Sequence, residues 1–241
     1  MLQKNYVIGK NKLSPFKILA FIPARSGSKS IKDKNIRKLN NKPLLAWSIE
    51  TCKKSKYLKD IIVSTDSKKY AKIAKKFGVE KVVLRPKKIS GDKSTDLQAI
   101  LHLMKTIKNF DYSFIAHIRP TTPLRDVNEI DKAIKFFLNC DFSSLRSVHE
   151  MPESAYKTYE IKKKNLLQSI GRNKKIDFHS VPRQKINKTY AANGVIDIYR
   201  TSNILKKKNL FGNKIYAFKT KFTYEVDSIH ELKILSTIMK K

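Results

Sequence analysis

Ile18-Leu19-Ala20-Phe21-Ile22-Pro23-Ala24-Arg25-Ser26-Gly27-Ser28-Lys29-Ser30-Ile31-Lys32-Asp33-Lys34-Asn35 joins two kinds of sequence. Ile18–Ile22 is an apolar run of strand length, and beyond Pro23 the chain turns to small residues mixed with cations. In an open α/β sheet, ligands bind beyond the carboxyl ends of the strands, where such loops emerge. A small-residue loop there can offer backbone N–H groups to phosphate oxygens, and Arg25, Lys29 and Lys34 add positive charge. The spacing fits neither G-x-x-x-x-G-K-[ST] nor G-x-G-x-x-G. Taken alone, the spacing suits a solvated basic turn slightly better.

Working outward, short apolar runs alternate with amphipathic stretches. Pro43 opens a helix, "PLLAWSIETCKKS", and Ile61–Val63 is a second strand. Tyr70, Ile73, Ala74 and Phe77 line one helical face, with Gly78 as its C-cap. Lys81–Leu84 is a third strand, Leu97–Ile107 a helix and "YSFIAHI" a fourth strand. Val127, Ile130, Ala133, Ile134 and Phe137 mark a further helix. The alternation predicts a mostly parallel sheet covered on both faces. The second half is richer in strands: "SSLRSVH", "SAYKTYEIKKKNLLQSI" turning at "KKKN", "GVIDIYR" and "KIYAFKT". Ile229, Leu232, Leu235 and Ile238 then form a closing helix. The simplest organisation is a short N-terminal extension, 1–16, and one domain, 17–241, with a hairpin excursion near 155–180.

Composition narrows the function classes. Of 241 residues, 41% are hydrophobic, which is a globular composition, and no apolar run approaches the roughly 18 residues a membrane span requires. Cys52 and Cys140 are too few for a disulfide framework or a cysteine-based zinc site and read as buried thiols in a reducing cytoplasm. The formal charge of +32 favours polyanion binding only if the cations are grouped. Here the lysines are scattered along nearly every segment, with no basic arm, which makes nucleic acid the weaker expectation. None of the histidines has metal-ligand or triad spacing. His117, on the fourth strand, is placed either in the core or at a site.

"IPARSGSKSIKDKNIRKLNNKPLLAWSI" resembles the nucleotide-binding signature of the acylneuraminate cytidylyltransferases, the CMP-sialic acid synthetases. The pattern A-R-x-G-S-K-G-x-x-x-K-N is met at Arg25, Gly27, Ser28, Lys29, Lys34 and Asn35. Ser30 stands where glycine is usual, a position it fills without strain if φ stays negative. "IIVSTDS", "VLRPKKISGDKSTD", "RPTTPLR", "PESAYKTYEI" and "PRQKINKTYAANGVIDIYR" extend the resemblance, in order, over about 200 residues. In "RPTTPLR", Arg119 replaces a glutamine. "YEVDS" resembles a D-x-D motif at Asp227, with Glu225 in place of the first aspartate.

The resemblance implies a three-layer Rossmann-like nucleotidyltransferase fold, α/β, with a protruding β-hairpin as dimerisation element. It implies transfer of CMP from CTP to a sialic-acid-like (nonulosonic) sugar acid, with pyrophosphate released and Mg²⁺ as cofactor. Arg25, Ser28, Lys29, Lys34 and Asn35 would bind the triphosphate, while Arg85, Ser94 and Asp96 read the base. Arg119, Lys157, Arg183, Gln184 and Asn193 would face the sugar. Asp227 with Glu225 would hold the metal, and Lys29, Arg25 and Asp227 carry the catalysis. Residues two apart on a strand share a face, which suits a carboxylate pair for Mg²⁺, although Asp227 also fits as a cap for the helix starting at "DSIHE". A homodimer is implied, with the hairpin over the partner's site. Two alternatives stay open: Kdo or another 2-keto-3-deoxy sugar acid as acceptor, or a non-catalytic basic nucleic-acid-binding protein on a degenerate version of the fold.

Overall fold

Strand β1 (Ile18–Pro23) is buried on both sides and sets the plan of the molecule. Ile18, Ala20 and Ile22 enter one apolar cluster, and Leu19 and Phe21 enter another on the opposite face. Alternate side chains of a strand point to opposite faces, so an apolar run of this kind requires cover above and below. The computed structural model describes residues 16–170 and 180–239.

After β1 come two-residue strands β2 (Lys38–Leu39) and β3 (Lys42–Pro43), then α1 (Leu44–Lys54), β4 (Asp60–Thr65), α2 (Lys68–Lys76) and β5 (Lys81–Leu84). Next are α3 (Asp96–Thr106), β6 (Phe114–His117), α4 (Val127–Leu138) and β7 (Ser144–Glu150). The chain continues through β8 (Tyr159–Ile161), β9 (Leu167–Ser169), β10 (Tyr190–Arg200), α5 (Thr201–Lys207), β11 (Ile215–Lys219) and α6 (Ile229–Ile238). Seven strands make one sheet in the order β11-β7-β10-β6-β1-β4-β5. All its pairings are parallel except those of β10, which runs against both β6 and β7. Helices α1, α2 and α4 cover one face, while α3 and α5 cover the other. This is the three-layer, Rossmann-like α/β architecture expected from the sequence.

Three local features position the site. First, β1, β4, β5 and β6 are parallel, so the residues following them emerge at one edge of the sheet. Second, a small apolar cluster gathers Ile31 from the loop after β1, Leu39, Leu44, Val226 and α6 residues Leu232 and Leu235. It ties the end of the chain to the first loop. Third, the pairing of β10 with β7 jumps between Ala192 and Asp197, so Asn193–Ile196 bulge out of register. Gly194 makes the bulge possible: its φ is +67°, and a Cβ there would lie 2.6 Å from Thr122 Oγ1.

The expected hairpin exists as a separate two-stranded sheet, β8 with β9. It turns at Lys163–Asn165, where Lys164 and Asn165 both take positive φ. Its dimerising role belongs to the proposals below. Sequence reading passed over β2 and β3, joined by Asn40 and Asn41 in left-handed conformations, and over α5.

Candidate active site

The edge of the sheet at which β1, β5 and β6 end holds a cleft of about 580 Å³. Arg25, Ser28, Lys29, Lys34 and Asn35 of the first loop line it together with Arg85, Ser94, Asp96, Arg119, Glu225 and Asp227. Ser30 lines it as well and is not among the positive-φ residues, so the departure from glycine introduces no left-handed strain. Asp66 holds the loop's shape, accepting from Ser26 N at 2.8 Å and Ser26 Oγ at 2.7 Å. Asn35 is buried and donates to Arg25 O at 2.9 Å, which makes it a brace of the loop as well as part of the wall.

Charge in the cleft is paired across long sequence separations. Lys34 Nζ lies 2.9 Å from Asp227 Oδ1. Asp92, which sequence reading missed, takes Arg25 Nη1 at 3.0 Å and Lys29 Nζ at 2.6 Å. The Lys29 hydrogen bond, followed by that from Arg25, lowers the Asp92 carboxyl below its ordinary range. Arg85 is buried, and its Nε and Nη2 find no hydrogen-bond partner within the protein. Burial lowers its pKa, though Asp66 and Asp96 oppose the shift. A buried guanidinium with spare donors beside a cleft is suited to a ligand's acceptor atoms.

Residues 220–227 pair with no strand, unlike the strand expected around Glu225 and Asp227, yet the alternation survives. Val226 N donates to Thr121 O at 2.7 Å and its side chain is fully buried, so the acids on either side both face the cleft. Glu225 Oε1 accepts from Thr121 Oγ1 at 2.7 Å. The cap of α6 is Ser228, in a reciprocal capping box with Glu231, so Asp227 is left free of that duty. Among the described residues no group of three or more His, Cys, Asp or Glu side chains is placed to hold a metal. Two carboxylates beside a phosphate-sized cleft nonetheless fit Mg²⁺, which takes few protein ligands and completes its shell with phosphate and water.

Beneath the cleft lies a polar network that sequence reading largely missed. Asp197 sits on β10 directly opposite His117 of β6 and Arg146 of β7. Arg119 Nη1 donates to Asp197 Oδ2 at 2.7 Å. Burial works to lower the Arg119 pKa, but Asp197, with Tyr199 and Asp96, together outweighs it and the value lies above the ordinary arginine range. His117 is fully buried, and burial, reinforced by Arg119, Arg125 and Arg146, lowers its pKa so far that the ring is neutral. Arg125 stitches the loop after β6 to the β10 bulge. It donates to the main-chain oxygens of Val195, Gly194, Arg119 and Thr122 and to Ser48 Oγ. Burial lowers its pKa to about 9, so it stays protonated at neutral pH. The legible signal for this layer was a lone acid inside the apolar run "GVIDIYR".

Of the sugar-side candidates, Asn193, Gln184 and Lys157 do not line this cleft. Asn193 is buried and donates to Thr220 Oγ1 at 2.6 Å. Gln184 lines a separate hollow with Glu150 and Ser154. Lys157 ends the short turn Ala155–Lys157 ahead of the hairpin. The Arg183 side chain lies outside the described residues.

A sheet-edge cleft that brings loop cations together with a distant carboxylate pair is an arrangement suited to an anionic ligand in an α/β protein. The chain belongs to the cytidylyltransferase family, whose model matches residues 19–239. It is 30% identical over 232 residues to the N-acylneuraminate cytidylyltransferase of Escherichia coli O18:K1:H7, covering 93% of this chain and 52% of that protein. The chain thus spans about half the length of that relative. It is 29% identical to the CMP-N,N'-diacetyllegionaminic acid synthase of Campylobacter jejuni, covering 92% of this chain and 94% of that one. Its fold is similar to a solved CMP:2-keto-3-deoxy-manno-octonic acid synthetase complexed with CTP. The TM-score is 0.70 at 14% identity, over 93% of this chain and 98% of that one. Among the described residues no helix is long and apolar enough to cross a membrane.

Proposed function

We propose that residues 17–241 form one cytidylyltransferase domain that transfers CMP from CTP to the anomeric hydroxyl of a nonulosonic sugar acid. The observation carrying this reading is the meeting of Lys34 with Asp227 at 2.9 Å, 193 residues apart, in a cleft that also holds Arg25 and Lys29. Cations alone suit any anion, whereas cations facing a carboxylate pair suit a metal-bound triphosphate.

Arg25, Lys29 and Lys34 bind the triphosphate, Ser28 adds a hydroxyl, and Asn35 keeps the loop in register for it. Arg85, Ser94 and Asp96 read the cytosine, Arg85 with the spare donors noted above. A site built to hydrogen-bond a base edge rejects bases that leave those groups unpaired. Glu225 and Asp227 would hold Mg²⁺, which when bound supplies positive charge at the α-phosphate. The sugar hydroxyl oxygen attacks the α-phosphorus and gives up its proton to solvent, the α–β anhydride bond breaks and pyrophosphate leaves. Catalysis comes from alignment and from neutralising charge on the departing phosphates by Arg25 and Lys29.

Arg119 faces the sugar from this chain. Lys157, Arg183 and Gln184, which lie away from the cleft or outside the described side chains, contribute in a homodimer whose hairpin reaches a partner's site, while Asn193, buried and bonded to Thr220, serves the sugar side only by holding the β10 bulge. The exposed apolar side chains of Ile161, Leu166, Leu167 and Ile170 support that assembly. We place the enzyme in the cytoplasm, in keeping with its free cysteines.

The test is pyrophosphate release from CTP and Mg²⁺ with a panel of nonulosonic and octulosonic acids. Release with at least one acid, lost in Lys29→Ala and Asp227→Ala, is expected. Full turnover in both variants would refute the site. Steeply salt-dependent DNA affinity without release from any acid would favour the nucleic-acid reading instead.

A further inference from the structure

Asp197 is a carboxylate in the middle of an apolar strand, 1% exposed. A buried carboxylate is costly unless partners compensate for its lost hydration. Its Oδ2 accepts from Arg119 Nη1 at 2.7 Å and from the Tyr199 hydroxyl at 3.3 Å, and its Oδ1 lies 3.6 Å from Arg146 Nε. His117, opposite on β6, has its Nδ1 3.2 Å from the Tyr199 hydroxyl and, being neutral, brings no charge. The nearest full countercharge is therefore Arg119. That residue is 20% exposed and lines the cleft, with Nη2 turned to within 3.6 Å of Asp96.

We propose that the buried Arg119–Asp197 pair determines which sugar acid is accepted, Arg119 touching the acceptor and Asp197 acting as the positioning residue behind it. The inference rests on the reading of the protein as a sugar-acid cytidylyltransferase. A guanidinium has five N–H donors and no acceptor, whereas the glutamine of the resembled pattern does both. A floor made of donors alone favours an acceptor that presents an oxygen lone pair here beyond the carboxylate all candidates share, and an acylamino carbonyl is such a group. Asp197 fixes the direction of that fork, because one guanidinium edge bonded into the sheet leaves the other edge aimed outward. A mobile arginine would lose side-chain freedom on every binding event, a cost the pair has already met on folding.

Steady-state constants for CTP and for each acid decide the matter in wild type, Arg119→Gln, Asp197→Asn and the double variant. The KM for the acid should rise about tenfold or more in each single variant while that for CTP rises by much less, since Arg119 reaches the base only indirectly, through Asp96 at 3.6 Å. The double variant should be no worse than Arg119→Gln, because Asp197 acts through Arg119. If the carboxylate is the partner, acids with and without acylamino groups lose equally; if the acylamino carbonyl is, only the acylated ones lose. Selective loss supports the proposal, whereas equal loss shows that Arg119 grips the carboxylate all these acids share and overturns the claim that the pair selects among them. The proposal is also overturned by an unchanged acid KM in Arg119→Gln, by CTP and acid KM rising together, or by additive losses in the double variant. Should Asp197→Asn fail to fold, Arg119→Gln and the double variant, which leaves neither charge of the pair, still decide it. Absence of pyrophosphate release by wild type with every acid would instead sink the underlying activity, and this inference with it.

Discussion

Replacing Arg125 with lysine keeps the charge and removes the fork. Arg125 serves five acceptors, four of them main-chain oxygens: Val195 and Gly194 in the β10 bulge, Arg119 and Thr122 in the loop after β6. A lysine ammonium has three donors on one point, so at least two acceptors are abandoned. Each buried carbonyl left without a donor costs about 1–3 kcal/mol. Two of them in this partly buried setting give a loss of roughly 3 kcal/mol, a sizeable part of the ~5–15 kcal/mol that holds a typical domain. At about 2–4 °C per kcal/mol for a chain of this size, the melting temperature should fall by roughly 6–12 °C. Differential scanning calorimetry measures it directly. Because the abandoned oxygens belong to backbone on either side of Arg119, pyrophosphate release below the melting point should also drop. An Arg125→Lys variant melting within about 2 °C of wild type would refute the assignment of Arg125 as the stitch between loop and bulge.

Gly194→Ala should cost about 1–3 kcal/mol through its left-handed φ, with a further loss from the 2.6 Å approach to Thr122 Oγ1. Adding Thr122→Ala should recover only the second part in thermal melts. Asp92→Asn frees Arg25 and Lys29 from their internal anion, so CTP affinity measured by calorimetric titration should tighten by about two- to fivefold, less at high salt. Glu231 accepts from Asp227 N, Ser228 N and Ser228 Oγ; burial works against it, but these bonds bring its pKa below the ordinary 4.5. The folded-state value is depressed, so this contribution is fully present above about pH 4.5 and is lost as pH falls through the lower folded value. The stability difference between wild type and Glu231→Gln, measured in urea melts from pH 7 to 3, should shrink in that window.

Legibility in the sequence was bounded by the reach of short-range chemistry. Ile18–Ile22 announced a strand because burial on both faces leaves no room for polar residues, Lys81–Leu84 announced one by its β-branched pair although only Val83 is buried at this sheet edge, and Gly78 marked a helix end because its backbone needs φ near +80°. The cations of the first loop were visible as a cluster because they lie close together in the chain. The meeting of Lys34 with Asp227 was legible only through resemblance. Val226 brings them together by packing with Ile31, Leu39 and Leu44, a contact that no local pattern predicts. Asp92 and Asp197 escaped for opposite reasons. Asp92 looks like any loop acid until Arg25 and Lys29 fold over it. Asp197 breaks an apolar strand in plain view, but its meaning depends on register, because only the pairing of β10 with β6 and β7 places it against His117 and Arg146. A charge that violates the burial pattern of its own strand therefore marks a partner elsewhere in the fold. Here that partner is Arg119, one of the residues at which this chain departs from the pattern it otherwise resembles. A buried carboxylate beneath an arginine that stands in place of a glutamine makes the two residues a single compensated unit, since removing either leaves the other without its hydrogen-bonded countercharge under the cleft.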